Sequence, residues 1–328
     1  MKRPSLGTLL RILVAVALTG LLLWKAHPGK VWEASVHADL PCIGIAVALT
    51  FLDRALMAYR WLVLLRPLAS ASHVSLGPIM RIFFVSTFVG TFLPASIGGD
   101  AVRAYSLARH DVPASTAVAS VFMDRMLGVL SVLMLGAAGL VFARDLATHP
   151  AVLTALAVTL VICAGTALVV FSRGMADLAR RVLRVIPSPA IRRIGDSLLS
   201  AVRSYATSHR ELLNVLVGSL GVQVLRVVQA YYLGRALGID APLSIYFAFV
   251  PLILLVMLLP VTVNGIGTSQ AAFVWLFSRA GVGDPQAFAL SVLFVALGVV
   301  GNLPGALLYV KSGLDPARAA SGDQAVRG

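Results

Sequence analysis

Charge is scarce in this chain. Only 12% of its 328 residues are charged, against 59% apolar, where a soluble domain carries about a quarter charged residues. That leaves too little polar surface to cover a water-soluble body, and it excludes a disordered chain. Cysteine is scarcer still: Cys42 and Cys163 are the only two. Each sits in an apolar run without a CxxC, so a disulfide scaffold is excluded and both read as small core or lipid-facing residues. Acidic residues number 14 against 27 basic ones, a net charge of +13. The chain has no GxxxxGK[ST], HExxH or GxSxG, and Gly265-x-Gly267 lacks the third glycine and the strand of a dinucleotide fingerprint. The six histidines (27, 37, 73, 110, 149, 209) form no cluster, so neither cofactor nor metal is expected. Basic residues alternate with apolar runs instead of gathering on one polar module, which argues against a nucleic-acid partner.

What is present is length of apolar sequence. A membrane helix needs about 20 mostly apolar residues. Six segments provide this: 7–24, 40–65, 115–142, 151–172, 212–234 and 286–310. The first follows Lys2, Arg3 and Arg11 and ends at Lys25-Ala-His-Pro28 without a small-residue cleavage site, so it reads as an uncleaved span. Two further apolar stretches are broken. One runs over 82–93 and meets Pro94-Ala-Ser-Ile-Gly-Gly99; the other runs over 244–259 and meets Pro260-Val-Thr-Val-Asn-Gly-Ile-Gly267. Short helix-compatible stretches follow each, at 100–109 and 268–278.

Orientation follows from arginine. Segment 173–210 holds eight Arg against Asp177 and Asp196, which places it in the cytoplasm. The bias is obeyed throughout only when 82–109 and 244–278 enter and leave on the same side, from opposite faces. The predicted fold is therefore an all-α integral membrane protein, with six transmembrane helices and two re-entrant broken-helix hairpins. It forms one polytopic domain over 1–312 with a tail at 313–328, in the cell (inner) membrane, both termini cytoplasmic. Within 173–210, two amphipathic stretches flank Pro187-Ser-Pro189. They suit the anionic inner leaflet, and a solvated surface pair suits the same pattern.

An internal repeat is legible. Leu93-Pro-Ala-Ser-Ile-Gly-Gly99 matches Leu259-Pro-Val-Thr-Val-Asn-Gly265, and Arg54-Ala-Leu-Met-Ala-Tyr59 matches Arg226-Val-Val-Gln-Ala-Tyr231. The halves, about 40–142 and 212–310, would be related by inverted topology. Paired Gly/Pro-interrupted segments in corresponding places point to a transporter's substrate site, with Pro94 and Pro260 as hinges.

Ionisable groups at membrane depth are costly and face a cavity or a partner. Asp53, Arg54, Asp124, Arg125 and Arg226 lie inside their spans, and structural Asp–Arg pairing between helices, such as Asp53 with Arg125, accounts for them as well as a substrate path does. Arg60 and Arg81 stand near span ends, within reach of the interface. In the first hairpin, Gly98-Gly99 permits an irregular turn and Asp100 suits the cap of a half-helix that carries Arg103 one turn on. A half-helix N-terminus offers N–H groups to an anion, and Arg103 would add a bidentate phosphate contact. The second hairpin offers neutral groups: Asn264, Gly265, Gly267, Thr268, Ser269 and Gln270. Both hairpins are also readable as kinked packing helices. Asp53 and Asp124 would balance charge or take a proton.

The run Leu93-Pro-Ala-Ser-Ile-Gly-Gly-Asp-Ala-Val-Arg-Ala104 resembles the signature of the lysylphosphatidylglycerol-synthase transmembrane region, or flippase-like domain, family. Tyr59-Arg60-Trp61 with Leu64-Leu65, Asp124-Arg125 and Leu259-Pro260 with Asn264-Gly265-x-Gly267 resemble its other landmarks, so the likeness spans about 40–310. The resemblance implies a membrane domain that moves a lipid with a bulky polar head between leaflets. Family associations include aminoacylated phosphatidylglycerol, polyprenyl-phosphate sugars and hopanoid pathways. Two departures stand out. The soluble aminoacyl-transferase domain of the bifunctional members is not expected here. Where relatives carry Gly-x-Arg-Glu, this chain has Gly267-Thr-Ser-Gln270, which lacks the charged pair. The expected function is translocation of an anionic or polyprenyl-phosphate-type lipid, with lipid- or glycan-biosynthetic enzymes as partners. A lipid-linked glycosyl or phosphoryl transferase, a solute carrier and a non-transporting subunit of a biosynthetic complex remain alternatives.

Overall fold

The computed structural model describes residues 29, 38–68, 70–71, 73–92, 97–141, 149–185, 188–258 and 267–311. The expected first span at 7–24, both hairpin tips with Pro94, Pro260, Asn264 and Gly265, and the tail at 313–328 lie outside the described residues. Twelve α-helices form the described chain: α1 (Leu40–Leu65), α2 (Leu76–Phe92), α3 (Ile97–Ala108), α4 (Ala114–Gly139), α5 (Pro150–Phe171), α6 (Arg173–Val185), α7 (Pro189–Arg203), α8 (His209–Ala236), α9 (Leu243–Leu258), α10 (Thr268–Arg279), α11 (Asp284–Val300) and α12 (Leu303–Lys311). No strand occurs among the described residues, and the protein is an all-α membrane protein. Five helical stretches are long and apolar enough to cross a bilayer: Leu40–Leu65, Ala114–Gly139, Val152–Phe171, His209–Ala236 and Asp284–Val310.

Prolines start several of these helices. Pro41, Pro150, Pro189 and Pro285 fall in first turns, where a missing N–H costs nothing and φ is already helical. Ser188 also accepts a hydrogen bond from the Ile191 N–H, a side-chain cap on α7. Gly238 and Gly281, with φ of 69° and 79°, close α8 and α10 in the left-handed conformation that glycine adopts without a Cβ penalty.

Helices α1 and α8 run antiparallel along their lengths, pinned at one end where the Asp39 N–H donates to the Ala236 carbonyl at 2.9 Å. Connection 66–75 therefore starts α2 at one end of the bundle, and connection 237–242 starts α9 at the opposite end. Each is followed by a partner helix packed against it, α3 on α2 and α10 on α9. Helix α3 leads straight to the start of α4, beside the end of α1. Helix α10 ends near the start of α5, where Trp275 meets the His149 ring at 5.1 Å.

Small residues set these crossings. A Cβ added at Gly99 would lie 2.9 Å from the Ser86 carbonyl oxygen and 3.2 Å from Gly90 Cα, so α2 and α3 meet backbone to backbone. A Cβ at Gly139 would run into the Phe247 carbonyl, joining α4 to α9, and one at Gly305 into the Phe84 carbonyl, joining α12 to α2. Lipid supplies little hydrophobic drive between helices, so close backbone approach does the packing.

Several boundaries differ from expectation. Helix α2 begins at Leu76, ahead of 82: Pro78 falls in its first turn, where proline is tolerated, and Ile79 is fully buried. Gly98 and Gly99 are helical, not an irregular turn, and at Gly99 the missing side chain serves the α2 crossing. Asp100 is accordingly in the first turn of α3 and not at its cap. The last apolar run breaks at Gly301-Asn302 into α11 and α12; a Cβ at Gly301 would meet Thr50 and Arg54, so α1 presses on the chain there. The amphipathic pair forms as α6 and α7, with Leu178, Val182, Val185, Ile191 and Ile194 exposed and Ala176, Leu199 and Val202 turned inward.

Gly99→Ala is expected to lower stability by about 1–3 kcal/mol through overpacking, read as a lower unfolding midpoint in detergent. Gly165→Ala, where nothing lies within 4 Å of the new methyl, should leave the midpoint unchanged or raise it by up to about 1 kcal/mol of helix propensity.

Candidate functional site

The polar centre is built on two carboxylates at mid-helix. Asp53 is thirteen residues into α1, about 20 Å along it, and Asp124 sits ten residues into α4. Both are 2% exposed. Asp124 is held from two sides. Its Oδ1 accepts from Arg60 Nε at 2.9 Å and lies 2.7 Å from Arg60 Nη2, and its Oδ2 lies 2.8 Å from Arg103 Nη1. Arg60 Nη1 also donates to Ser219 Oγ of α8 at 2.9 Å. The Arg103 guanidinium stacks over the Trp61 ring at 3.9 Å and faces Phe83 at 5.3 Å, a cation–π arrangement. Trp61 Nε1 in turn donates to Ser120 Oγ at 3.3 Å.

Asp53 has a second cluster around it. Arg54 Nη1 donates to its Oδ2 at 3.0 Å, and Arg226 Nε lies 3.4 Å from its Oδ1. Arg54 Nη2 also reaches the Gly298 carbonyl at 3.3 Å, tying α1 to α11. A third pair is bidentate: Arg125 donates Nε and Nη2 to the two oxygens of Asp100 at 2.7 and 3.1 Å. This last pair is the more open one, with Arg125 46% exposed.

These groups line one cavity of about 480 Å³ between α1, α2, α3, α4, α8, α9 and α11. Arg54, Arg103, Arg125, Arg226, Asp53, Asp100, Asp124 and Gly99 all stand on its wall. Five arginines with Arg60 included, against three aspartates, leave two positive charges facing it. The apolar part of the wall comes from Leu254, Met257, Leu258 and Phe294.

Other expectations are corrected. Gly98, Gly267, Thr268, Ser269 and Gln270 are not among the wall residues. Gln270 Oε1 instead accepts from the Gly267 N–H and from Ser269 Oγ, so these neutral groups cap their own helix. Asp53 does not pair with Arg125. Arg60 is buried on Asp124 and does not reach the interface, because the carboxylate lies one helix away and water does not. Adjacent Asp53 and Arg54 do bond to each other, since the long arginine side chain spans the angle between neighbouring positions.

The sequence reading missed the neutral part of the wall. Gln223 and Gln229 flank Arg226 at spacings of three on α8, one helical face, with Ser219 one turn earlier and off the wall. Gln223 Nε2 donates to Ser131 Oγ at 3.1 Å, and Asn302 Nδ2 donates to Thr91 Oγ1 at 2.9 Å. The stripe on α8 was the available signal.

The geometry so far is a charged cavity walled by broken and continuous membrane helices. A family model described as the lysylphosphatidylglycerol synthase TM region matches residues 8–305. The chain belongs to this family. It is a membrane-protein family associated with lipid handling. A similar protein is a UPF0104 membrane protein of Methanothermobacter thermautotrophicus, 25% identical over 307 residues that cover 88% of this chain and 89% of that protein. No solved structure matches the chain.

Asp124→Asn leaves two buried arginines short of their counter-ion and is expected to cost about 3–5 kcal/mol. Asp100→Asn, in the more open pair, should cost at most about 1 kcal/mol. Unfolding midpoints of the two variants in detergent check the order.

Proposed function

We propose that this protein is a membrane lipid translocase of the flippase-like kind, passing an anionic or polyprenyl-phosphate-type lipid head group between leaflets. One observation carries the reading: a cavity with two surplus positive charges at mid-helix depth, where a charge otherwise costs several kcal/mol. Arginine forks suit phosphate oxygens, and about 480 Å³ is room for a polar head group. The acyl chains would stay in the bilayer while the head group crosses. The short helices α2 and α9 start at opposite ends of the bundle, which supports two re-entrant hairpins in inverted halves meeting around the cavity. Movement would be downhill or driven by an ion gradient or the membrane potential.

In this reading the exposed apolar residues of α6 and α7 and their arginines rest on the anionic cytoplasmic leaflet, and both termini share that side. Arg193→Cys, in a Cys42→Ser/Cys163→Ser background, is then expected to react with a membrane-impermeant maleimide only when the cytoplasmic face is open to the reagent. Equal labelling from outside overturns the orientation.

Transport is tested with purified protein in vesicles carrying a fluorescent phosphatidylglycerol, read by a quencher confined to the outer leaflet. The intact protein should speed exchange between leaflets over protein-free vesicles. Arg226→Ala and Arg103→Ala should each slow it about tenfold or more, as loss of a charge-assisted hydrogen bond implies. Exchange no faster than in protein-free vesicles overturns the translocase reading, and a labelled product formed from a lipid-linked donor would favour a transferase.

A further inference from the structure

We propose that the cavity selects a phosphate ester bearing free hydroxyl groups and turns away head groups bearing an ammonium. This rests on the translocase reading for its biological meaning, but the selectivity is a property of the wall itself.

The wall's hydrogen-bonding capacity is unevenly spent. Arg54 Nε, Arg103 Nε and Nη2, and Gln229 Nε2 are buried donors with no hydrogen-bond partner among the described residues. Gln223 Oε1 and Asn302 Oδ1 are buried neutral acceptors in the same condition. All five side chains stand on the cavity wall. Buried polar atoms without a partner are uncommon in native proteins and call for a specific reason. Here they fall into three kinds: guanidinium N–H groups, a set of carboxamides that both donate and accept, and Asp53 Oδ1, which faces Arg226 Nε at 3.4 Å without a hydrogen bond.

Each carboxylate is ion-paired, and Asp53 Oδ1 alone among their oxygens is buried without a hydrogen bond among the described residues. Asp124 carries Arg60 and Arg103, Asp53 carries Arg54 and Arg226, and Asp100 carries Arg125. An ammonium brings three donors and a positive charge. It would have to take a carboxylate from an arginine, inside a cavity that already holds two surplus positive charges. A phosphate diester brings acceptors alone and meets the guanidinium donors without breaking any pair.

The carboxamides need a different group. A hydroxyl donates once and accepts twice, so a polyol satisfies Gln229 Nε2, Gln223 Oε1 and Asn302 Oδ1 together. Gln223, Arg226 and Gln229 lie three residues apart on one face of α8, a run of about 9 Å. That is the reach of a phosphate with a short polyol attached. A phosphate without hydroxyls would leave the carboxamides unsatisfied.

The test uses the full chain in detergent with four dioctanoyl lipids: phosphatidylglycerol, phosphatidic acid, phosphatidylethanolamine and lysylphosphatidylglycerol, binding being read by native mass spectrometry and thermal shift. Phosphatidylglycerol should bind at least tenfold more tightly than either amine-bearing lipid and severalfold more tightly than phosphatidic acid. Gln229→Leu and Asn302→Leu should each narrow the gap between phosphatidylglycerol and phosphatidic acid, and Arg54→Gln should weaken both anionic lipids together. Thermal melts without lipid identify any variant that has lost its fold; the wild-type order stands as a measurement without them. Equal or tighter binding of an amine-bearing lipid, equal binding of the two anionic lipids, or binding of none overturns the selectivity. Because binding is read without transport, vesicles showing no exchange would overturn the translocase reading alone, and a preference for the lysyl lipid would overturn the selectivity alone.

Discussion

The structure depends on one carboxylate. Asp124 stands between Arg60 and Arg103 and thereby joins three helices: its own α4, the long α1, and α3 of the first hairpin. Through Ser219, Arg60 extends the junction to α8. Removing charges from water is expensive enough that a single buried ion pair often fails to repay it. Two arginines on one carboxylate repay it better, because each oxygen of Asp124 is bonded and the Arg103 plane also rests on Trp61. The site's position is set here. Arg103 fixes where the first hairpin sits, and Arg60 fixes the register of α1 against α8.

That junction also explains where the surplus positive charge goes. Asp124 engages Arg103 through Nη1 alone and leaves Nε and Nη2, three of its five N–H donors, without a partner among the described residues. Asp53 holds Arg226 more loosely, at 3.4 Å with that arginine 24% exposed. The tight cluster near the end of α1 therefore acts as an anchor, and the looser one at its middle is where a guanidinium is able to move toward an anion. Met57 lies between the two clusters, its sulfur 3.4 Å from Arg226 Nη2, a soft contact that costs little to break.

Charge within an apolar run is a loud signal, and Arg54, Arg103, Arg125, Arg226, Asp53 and Asp124, singled out in the sequence for that reason, stand on one cavity wall. Pairing was less legible. Spacing along one helix says which face a residue takes, but which carboxylate lies opposite depends on crossings that glycines such as Gly90, Gly99 and Gly139 determine at the backbone. Asp53 thus found Arg226 and its own neighbour, while Arg125 found Asp100. The neutral residues Gln223, Gln229, Ser131 and Asn302 were silent because isolated Ser, Gln and Asn in membrane helices serve many packing roles. Gln270 was misread for the opposite reason: a polar residue three positions after a glycine looked available, when that spacing is what a self-closing helix start needs.

The two hairpins consequently differ in chemistry despite their matched sequences. The first brings Asp100 and Arg103 to the cavity and anchors them on α4. The second closes its own helix start with Gln270 and, among the described residues, gives the cavity Leu254, Met257 and Leu258 from α9. Every carboxylate on the wall is ion-paired to arginine, and the balance of the cavity is set by α3 and α8. The asymmetry makes α3 a source of charge and α9 a source of apolar wall, while α8 supplies Arg226 from the second half.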